Sequence, residues 1–564
     1  PGVEVATGPL GQGCGMSVGM AIAERFLAAT FNKPGHEIVD HRTYALCSDG
    51  DLMEGLSNEA ASLAGHLGLS KLTWIYDDNR ITIDGSTDLA FTEDVGARFQ
   101  ALGWQVLRAD GLDPVAVQAA LAQSDGAAGP TLIVARTTIG YGSPNKAGTN
   151  KSHGSPLGPE EVRLAKRELG IPEEPLFYIP EEALDHFRQA IPKGARLEER
   201  WDEVMAGYSG QYPEQAAAFR RALQGVPDDG WADVLPAFGP ADKLATRVAS
   251  GQVINAIADF VPTLIGGSAD LAESNNTHIK SSADFQASTP AGRNINFGVR
   301  EHAMVAAVNG ITLHGGCRGY AASFLIFSDY CRPAIRLAAL QRCPSIFVFT
   351  HDSIGLGEDG PTHQPVEHLM SLRAIPNLNV MRPADGNETA ACWKAALESS
   401  ETPTLIALTR QALPTVTPAF SRGVHPALSG AYVLADGFGA AQVIIAATGS
   451  EVHVALSARE LLLEDGIGAR VVSMPSWMLF EKQDAQYRAE VFPPGVPVVS
   501  IEAGCTLGWA RYSQAHVGLD HFGSSAPGEV LFNAYGFTAQ NVAQTARRIA
   551  LSRGAVGAGA SPVG

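Results

Sequence analysis

The sequence predicts an α/β protein made of three doubly wound α/β domains, and two observations lead to that prediction. Short apolar runs typical of buried strands alternate along most of the chain with segments of helical periodicity. At 564 residues the chain also exceeds what one hydrophobic core usually supports, and its hydrophobic fraction of 45% is ordinary for a globular protein. Strands that are joined through helices pair in parallel with right-handed crossovers.

The first domain is predicted over residues 1–210. Helical periodicity indicates helices at 16–31 and 52–67, and apolar runs indicate strands at 43–47, 72–76, 104–107 and 131–134. Residues 171–240 are rich in Pro, Glu and Ala and include polar helices at 180–190 and 213–223. They form a connector, and residues 211–240 of it are assigned as the linker to the next domain.

The second and third domains follow the same pattern. The second is predicted over 241–420, with strands at 263–265, 346–349, 378–380 and 405–408. The third is predicted over 421–564, with strands at 442–446, 469–473 and 496–501. Three successive α/β units of this length are better explained as three domains of one chain than as a short repeat.

Charge and cysteine content exclude several classes of function. The net charge of −18 argues against nonspecific nucleic-acid binding, so an anionic substrate needs a local cluster of Arg and His. Seven scattered cysteines without a CxxC pair indicate reduced thiols rather than disulfides or a zinc site. With no apolar run long enough to cross a bilayer, we expect a cytoplasmic protein with no membrane partner.

The start of the chain is unusual for such a domain. It begins at Pro1, and no strand precedes its first Gly-rich segment. We therefore expect that an N-terminal portion of the first domain is missing.

The ends of two predicted strands carry a candidate cation site. Ser48-Asp49-Gly50 ends one strand and Asn79 follows the next, so parallel pairing would bring Asp49 and Asn79 side by side. Carboxylate and amide oxygens suit Mg²⁺ or Ca²⁺, and magnesium commonly shares its site with substrate phosphates. Gly50 would permit close backbone approach, and the next helix directs its N-terminal dipole at anionic oxygens. Loop or capping roles explain these residues equally well.

Residues 351–365, HDSIGLGEDGPTHQP, form the most polar loop after a predicted buried strand. Their titratable groups (His351, Asp352, Glu358, Asp359 and His363) lie between glycines and prolines. Open α/β sheets bind ligands at the carboxyl ends of their strands, so this loop is predicted to carry chemistry. A polar surface loop is the alternative.

Taken together, these motifs resemble the transketolase family, and the resemblance covers nearly the whole chain. Asp49-Gly50 followed by Asn79 resembles the thiamine-diphosphate motif Gly-Asp-Gly…Asn, with Ser48 in place of the first glycine. The remaining similar segments are 8–13, 54–55, 77–78, 140–146, 266–271, 299–302 and 351–365. The resemblance implies two thiamine-diphosphate-binding folds, for the diphosphate and the pyrimidine, plus a C-terminal α/β domain. It also implies a homodimer with active sites between the diphosphate domain of one subunit and the pyrimidine domain of the other.

The same resemblance implies the cofactor site. Glu301 would bond the aminopyrimidine ring and favour the imino tautomer that deprotonates the thiazolium carbon, although a glutamate that only supports a helix N-terminus is the alternative. Phe324, Phe327 and Tyr330, expected at a helix start, would form the pyrimidine pocket, although their three-residue spacing also suits core packing. The implied cofactor-binding residues are Gly8, Leu10, Asp49, Gly50, Glu54, Asn79, His153, Asp270, Glu301, Phe324, Phe327 and Tyr330. The implied ligands of Mg²⁺ (or Ca²⁺) are Asp49, Asn79 and the backbone carbonyl of Ile81.

Glu54 and Glu59 would belong to a buried acidic chain that links the two active sites, although two solvated helix glutamates are the alternative. For the substrate, Arg247, Ser274, His351 and Arg410 match positions that hold the sugar phosphate, for which arginine forks are suited. Asp359 matches the acid that recognises the hydroxyl next to the reacting carbonyl. His153 and His363 match histidines near cofactor and substrate, and both are assigned with Glu301 as catalytic.

The resemblance implies a homodimeric transketolase of the pentose phosphate pathway or the Calvin cycle. It would transfer a two-carbon ketol unit through a thiamine-diphosphate-bound dihydroxyethyl intermediate, with substrates of the xylulose 5-phosphate and ribose 5-phosphate class. A dihydroxyacetone synthase that accepts formaldehyde shares most motifs, and a catalytically silent transketolase-like scaffold is a rival of another class. A deoxyxylulose phosphate synthase is disfavoured by residues 357–365 and by the substrate arginines. Further histidines that the family uses would lie before Pro1.

Overall fold

The protein is α/β, as the sequence predicts. The computed structural model describes residues 2–421, 423–437 and 439–557, with side chains to 551. It divides into two compact units. The first comprises Pro1–Gln224, Phe285–Gly292 and Leu313–Cys317, and the second comprises Gly225–Asp284, Arg293–Thr312 and Arg318–Gly564.

The first unit is built on one parallel sheet. Its helices are α1 (Gln12–Phe31), α2 (Asp49–Met53), α3 (Gly55–Leu67), α4 (Val95–Ala101), α5 (Pro114–Ser124), α6 (Pro159–Glu168), α7 (Glu181–Arg188), α8 (Ala190–Gln211) and α9 (Pro213–Gln224). Its strands are β1 (Thr43–Ser48), β2 (Leu72–Asp78), β3 (Gln105–Asp110) and β4 (Thr131–Arg136). They lie in the order β1-β2-β4-β3, and every neighbouring pair is parallel.

The first two helical segments differ from their predicted bounds. Helix α1 begins at Gln12, one turn before the predicted start, because Gly11 takes a left-handed conformation (φ +78°) that opens the helix. The helix predicted at 52–67 is interrupted at Glu54, whose backbone is extended (ψ 136°). Asp51 caps the start of the short helix α2, because its side chain accepts hydrogen bonds from the backbone N–H groups of Ser48 and Gly11. Beyond the interruption, the Ser57 hydroxyl donates to the carbonyl of Asp51 at 2.5 Å.

The second unit contains the remaining elements. Its helices are α10 (Thr246–Ile257), α11 (Ala272–Asn275), α12 (Glu301–His314), α13 (Ser328–Leu340), α14 (His368–Arg373), α15 (Gly386–Glu398), α16 (Val452–Glu464), α17 (Trp477–Glu481), α18 (Ala485–Val491), α19 (Gly528–Ala534) and α20 (Ala539–Gly557). Its strands are β5 (Lys243–Leu244), β6 (Leu264–Ser268), β7 (Asn294–Asn296), β8 (Arg318–Phe324), β9 (Ile346–Thr350), β10 (Asn379–Met381), β11 (Thr404–Leu408), β12 (Leu413–Pro414), β13 (Tyr432–Ala435), β14 (Val443–Ala447), β15 (Ala469–Ser473), β16 (Val498–Ile501) and β17 (Ala515–Val517).

Two larger sheets organise this unit. The first is parallel, with the order β10-β11-β9-β8-β6-β7, and β9 at its centre is buried throughout. The second has the order β13-β15-β14-β16-β17, and only β13 runs antiparallel to its neighbour. Strands β5 and β12 form a separate antiparallel pair. None of the helices within the described ranges has the length and apolar character that crossing a bilayer would require.

The aromatic triplet expected at a helix start is divided between the end of a strand and the start of a helix. Phe324 is the last residue of β8, Phe327 ends a 3₁₀ turn, and only Tyr330 lies on α13. The expectation is wrong for Phe324, because strand β8 is rich in Gly, Ala and Ser and carries no apolar run that would predict it. All residues of β8 after Arg318 are buried, so small side chains fit there without the apolar run that marks most buried strands.

Candidate active site

The two strand ends that carry the candidate cation site are neighbours. Strands β1 and β2 pair in parallel with Ser48 beside Asp77, so Asp49 and Asn79 follow adjacent strands, as predicted. The turn after β2 is tight, because Asn79 Oδ1 accepts a hydrogen bond from the backbone N–H of Ile81 at 2.9 Å. Asn79 Nδ2 donates to Asp77 Oδ2 at 3.1 Å. The turn therefore holds Asn79 and the Ile81 backbone in one compact group.

Asp49 is buried without full compensation. Asp49 is only 2% exposed, and the Tyr76 hydroxyl donates a hydrogen bond to its Oδ1. Its Oδ2 is buried and accepts no hydrogen bond from the part of the chain that the structure describes. Burial raises the pKa of the Asp49 carboxyl, and the nearby carboxylates of Asp78 and Asp77 raise it further. An orphaned carboxylate oxygen among other acids fits a divalent cation.

The donor set limits the kind of cation. Among the residues described, no three His, Cys, Asp or Glu side chains form a group able to hold a metal ion. A cation at Asp49 must therefore complete its shell with amide and carbonyl oxygens and with oxygens from a ligand. Hard oxygen donors of this type suit Mg²⁺ or Ca²⁺.

The Gly-rich segment 8–13 packs against this site. Leu10 lies on Gly50, where an added Cβ would be 2.8 Å from Leu10 Cδ1. The backbone N–H of Gly11 donates to Asp51 Oδ1 at 2.8 Å, and Gly11 also approaches Glu54. The structure thus gathers the predicted residues 10, 49, 50 and 54 in one cluster, with the exposed Gly8 (φ +69°) just before it.

The other predicted positions of the first unit are His153 and Glu59. His153 follows a 3₁₀ turn that reaches the loop after Asn79, because Asn150 Nδ2 donates to the carbonyl of Ile83 at 3.1 Å. Glu54 is exposed in the single chain, and Glu59 is partly buried.

In the second unit, the predicted aromatic and imidazole groups form one cluster, named here the aromatic cluster. Its members are Phe324, Phe327, Tyr330, His351 and His363. The ring centroids of Phe324 and His351 are 3.7 Å apart, and those of Phe324 and Phe327 are 6.0 Å apart with near-parallel planes. Phe327 also lies 5.6 Å from His363 and 6.2 Å from Tyr330.

A directional chain of hydrogen bonds holds His351. Thr350 donates its hydroxyl proton to Asn275 Oδ1 at 2.7 Å, and Asn275 Nδ2 donates to Ser268 Oγ at 2.8 Å. Ser268 Oγ donates in turn to the carbonyl of Ala322 at 3.0 Å. Because the Thr350 proton is already used, His351 Nδ1, at 2.8 Å, must donate to Thr350 Oγ1, which leaves Nε2 as the free atom of the ring.

Sequence reasoning missed Asn275 and Thr350, which connect the carboxyl ends of β6 and β9. The two residues are 75 positions apart, and neither belongs to a recognisable motif. Tyr76 was also missed, although its alternation along β2 marks it as a buried position facing the core.

Two arginines surround His351. Burial, followed in order of size by the charges of Arg247, Arg410 and His363, lowers the pKa of His351 to about 3. Arg247 Nη1 donates to the carbonyl of Ser274 at 2.6 Å, and burial lowers the pKa of Arg247 with a further contribution from Arg410. The imidazole is therefore neutral at pH 7. A bound phosphate would neutralise the two arginines and favour the imidazolium, which can donate from Nε2.

The loop 351–365 is fixed rather than extended into solvent. Gln364 Nε2 donates to the carbonyls of Gly357 (2.8 Å) and Ser524 (3.0 Å). Gly360 has a φ of +78°, and an added Cβ there would collide with Ser525 Oγ. Asp359 lies at the exposed tip of this loop.

Three predicted residues stand apart from the aromatic cluster. Glu301 is the first residue of α12, and its carbonyl accepts a hydrogen bond from Cys331 Sγ at 3.5 Å. Asp270 follows β6 with a φ of +58°. In the described ranges no hydrogen bond or ring contact joins the side chains of Glu301, Asp270 or Asp359 to the aromatic cluster.

The family models identify the class of protein. The thiamine diphosphate binding domain of transketolase matches residues 1–227, the pyrimidine binding domain matches 242–416, and the transketolase-like C-terminal domain matches 430–538. The three domains are thus those of a thiamine-diphosphate-dependent transferase.

Similar proteins specify the family. A transketolase of Geobacillus stearothermophilus is 52% identical, and the match covers 97% of this chain and 83% of the relative. The solved transketolase of Leishmania mexicana has a TM-score of 0.94 at 45% identity, covering 98% of this chain and 82% of that one. A Pichia stipitis transketolase in complex with sedoheptulose 7-phosphate has a TM-score of 0.95 at 43% identity, covering 98% and 83%. The chain belongs to the transketolase family.

Proposed function

We propose that this chain transfers a two-carbon ketol unit from a ketose phosphate to an aldose phosphate, with thiamine diphosphate and a divalent cation bound. The observation that carries the proposal is the position of Arg247, Arg410 and His351. They lie together at the carboxyl end of the six-stranded sheet, and the tilted ring of His351 packs against Phe324. The two arginines supply positive charge for a sugar phosphate in a protein whose overall net charge is −18. The neighbouring aromatic rings can cover a pyrimidine.

On this proposal the cofactor supplies a nucleophilic carbon that also accepts the electron pair released when the carbon–carbon bond of the ketose breaks. Glu301 shares a proton with a ring nitrogen of the pyrimidine. Phe324, Phe327 and Tyr330 cover that ring and exclude water. Gly8, Leu10, Gly50, Glu54 and Asp270 contribute to the remaining cofactor surface.

The same proposal assigns the cation and the substrate. Asp49, Asn79 and the Ile81 carbonyl would hold Mg²⁺ or Ca²⁺, whose charge would favour binding of the diphosphate. Arg247, Ser274, His351 and Arg410 hold the sugar phosphate. Asp359 recognises the hydroxyl beside the reacting carbonyl, and His153 and His363 move protons as the carbonyl oxygen gains and loses charge.

Assembly and cellular setting are part of the proposal. A homodimer follows from the resemblance, which implies active sites shared between two subunits, with Glu54 and Glu59 in the acidic chain between them. The described cysteines are all free, which supports a reducing compartment such as the cytoplasm. The proposed pathway is the pentose phosphate pathway or the Calvin cycle, and the proposed domains are residues 1–210, 241–420 and 421–564.

The test is a ketol-transfer assay with xylulose 5-phosphate as donor, ribose 5-phosphate or formaldehyde as acceptor, and added thiamine diphosphate and Mg²⁺. We expect transfer to ribose 5-phosphate, and Glu301→Ala should abolish turnover while circular dichroism remains unchanged. Glu529→Ala is the matched control, because Glu529 is an exposed first-turn glutamate of α19. Preference for formaldehyde would indicate a dihydroxyacetone synthase, and cofactor binding without any transfer would indicate a silent scaffold.

A further inference from the structure

A buried cluster of five charged side chains lies directly behind His351. Its centre is Arg382, whose side chain has no exposed surface. Arg382 Nε donates to Asp352 Oδ2 at 2.8 Å, and Arg382 Nη1 donates to Glu451 Oε2 and lies 3.9 Å from Glu502. Arg373 forms two hydrogen bonds with Glu502, at 2.7 and 2.8 Å. Buried charges are costly to leave unpaired, so each of these groups is held in one position by its partners.

The cluster joins two parts of the second unit. Asp352 and Arg382 belong to the six-stranded sheet and its loops, whereas Glu451 and Glu502 belong to the C-terminal sheet region. The segment 448–451 closes round Arg382, whose Nη1 donates to the carbonyl of Thr448 at 3.0 Å. Gly449 has a φ of +60°, and an added Cβ there would lie 2.6 Å from Arg382 Cζ, so glycine is needed for this close approach.

The cluster meets the site through the backbone of one strained residue. His351 has a φ of +62°, a conformation that residues with a Cβ rarely adopt. On one side Thr350 is held by Asn275, and on the other side Asp352 is held by Arg382. His351 is therefore fixed from both neighbours, and the second anchor originates in the C-terminal region.

We propose that Arg382 is a positioning residue for His351, holding its imidazole against Phe324 through Asp352, and that Glu451 and Glu502 set the position of Arg382. The inference deepens the proposed function, since it rests on His351 holding the sugar phosphate. It assigns the C-terminal region a part in substrate binding although none of its residues touches the substrate.

The charge balance of the cluster indicates the variant to use. Three carboxylates face two guanidinium groups, so Asp352→Ala removes the link to His351 and leaves two acids paired with two arginines. Removing Arg382 instead would leave three buried acids with one arginine and would damage the fold. Arg382→Lys is a second variant, because a lysine keeps the charge but cannot bond Asp352, Glu451 and Thr448 in the fixed geometry of a guanidinium.

The experiment uses the full chain loaded with thiamine diphosphate and Mg²⁺, and compares xylulose 5-phosphate with xylulose as donor. For Asp352→Ala we expect KM for xylulose 5-phosphate to rise about tenfold, as for the loss of one charge-assisted hydrogen bond, with kcat within about twofold. KM for the unphosphorylated donor should not change. In a His351→Ala background, Asp352→Ala should add no further rise in KM, because the positioned group is already gone.

The controls separate positioning from general damage. Tyr208→Phe removes a buried hydrogen bond outside the cluster, from the Tyr208 hydroxyl to the carbonyl of Phe31 at 2.7 Å, and it should leave the ratio of the two KM values unchanged. Asp352→Asn keeps an oxygen for Arg382 Nε and should recover most of the lost affinity. If Asp352→Ala does not fold, Arg382→Lys provides the same comparison of donors.

Two results would overturn the inference: an unchanged KM ratio in Asp352→Ala or Arg382→Lys, or an effect of Asp352→Ala that adds fully to that of His351→Ala. Failure of the proposed function is a different outcome, because the parent enzyme would then show no ketol transfer from either donor.

Discussion

Replacing Asp49 with asparagine should remove most of the stabilisation that Mg²⁺ and thiamine diphosphate give to the protein. In the parent, Tyr76 occupies Oδ1 of Asp49 and only Oδ2 remains for a cation. Asparagine can keep the bond from Tyr76, but it then places an N–H group where Oδ2 was and removes the charge. Changes to groups that merely support a metal ligand lower affinity by about 10- to 100-fold, so loss of a direct ligand should cost at least about 100-fold.

The expected size follows from linkage. With the cation at about 100 times the parent's dissociation constant, the parent gains about 2.7 kcal/mol, whereas a variant with about 100-fold weaker binding gains only about 0.4 kcal/mol. The difference of about 2.3 kcal/mol is large against the marginal stability of a typical domain. It should be visible as a loss of the cation-dependent shift in the thermal unfolding midpoint.

The assay is a thermal shift series of apoprotein, protein with thiamine diphosphate, and protein with thiamine diphosphate and Mg²⁺, supported by calorimetric titration. Asp88→Asn is the matched control, since Asp88 is an exposed acid in the turn after Asn79 and should keep the parent's response. If Asp49→Asn retains the full Mg²⁺-dependent shift, Asp49 does not bind the cation and the assignment of this site is wrong.

Three further predictions concern the second unit. Gly360→Ala should lower stability by about 1–3 kcal/mol through its positive φ and its collision with Ser525. In thermal denaturation, adding Ser525→Gly to this variant should recover only the part of the lost stability that comes from the collision. Burial raises the pKa of Glu388 to about 7, with a further contribution from Asp385, so its folded pKa exceeds the unfolded value. That contribution is complete below the unfolded pKa of 4.5 and is lost as pH rises to about 7, so Glu388→Gln should remove up to about 1.4 kcal/mol per pH unit from the slope of unfolding free energy against pH between these two values. Phe324→Ala should weaken thiamine diphosphate binding by about tenfold in calorimetry, because it removes a ring that packs on His351 and Phe327; an unchanged affinity would exclude Phe324 from the pyrimidine pocket.

Much of the fold was predictable, because alternating apolar strands and amphipathic helices carry a local signal. The parallel pairing of β1 and β2, and hence the adjacency of the ends that carry Asp49 and Asn79, followed from strand–helix–strand order alone. Strand β8 was not predictable, since its small residues suit a strand only when neighbours cover both faces. The break at Glu54 was missed because the helical periodicity of 52–67 continues across it.

Part of the candidate site was also predictable from the sequence, and part was not. Groups within one short motif, such as those of the 351–365 loop, could be proposed from the sequence, and the structure brings His351 and His363 into one cluster with the aromatic residues. Arg382, Asn275 and Thr350 could not be proposed from the sequence, because each of them contacts partners that are distant in sequence. The individual roles of the site residues stay predictions.

The hydrogen-bond chain from His351 through Thr350, Asn275 and Ser268 to Ala322 has a consequence for attempts to redesign this enzyme. Each group in the chain donates its proton to the next one toward Ala322. Replacing the hydroxyl of Thr350 or Ser268 with a methyl group therefore removes the hydrogen bonds that orient the other groups of the chain. New substrate preferences should therefore be sought in the exposed tip of the 357–363 loop. Variants with random substitutions at the strand ends would mostly have a misoriented His351 imidazole.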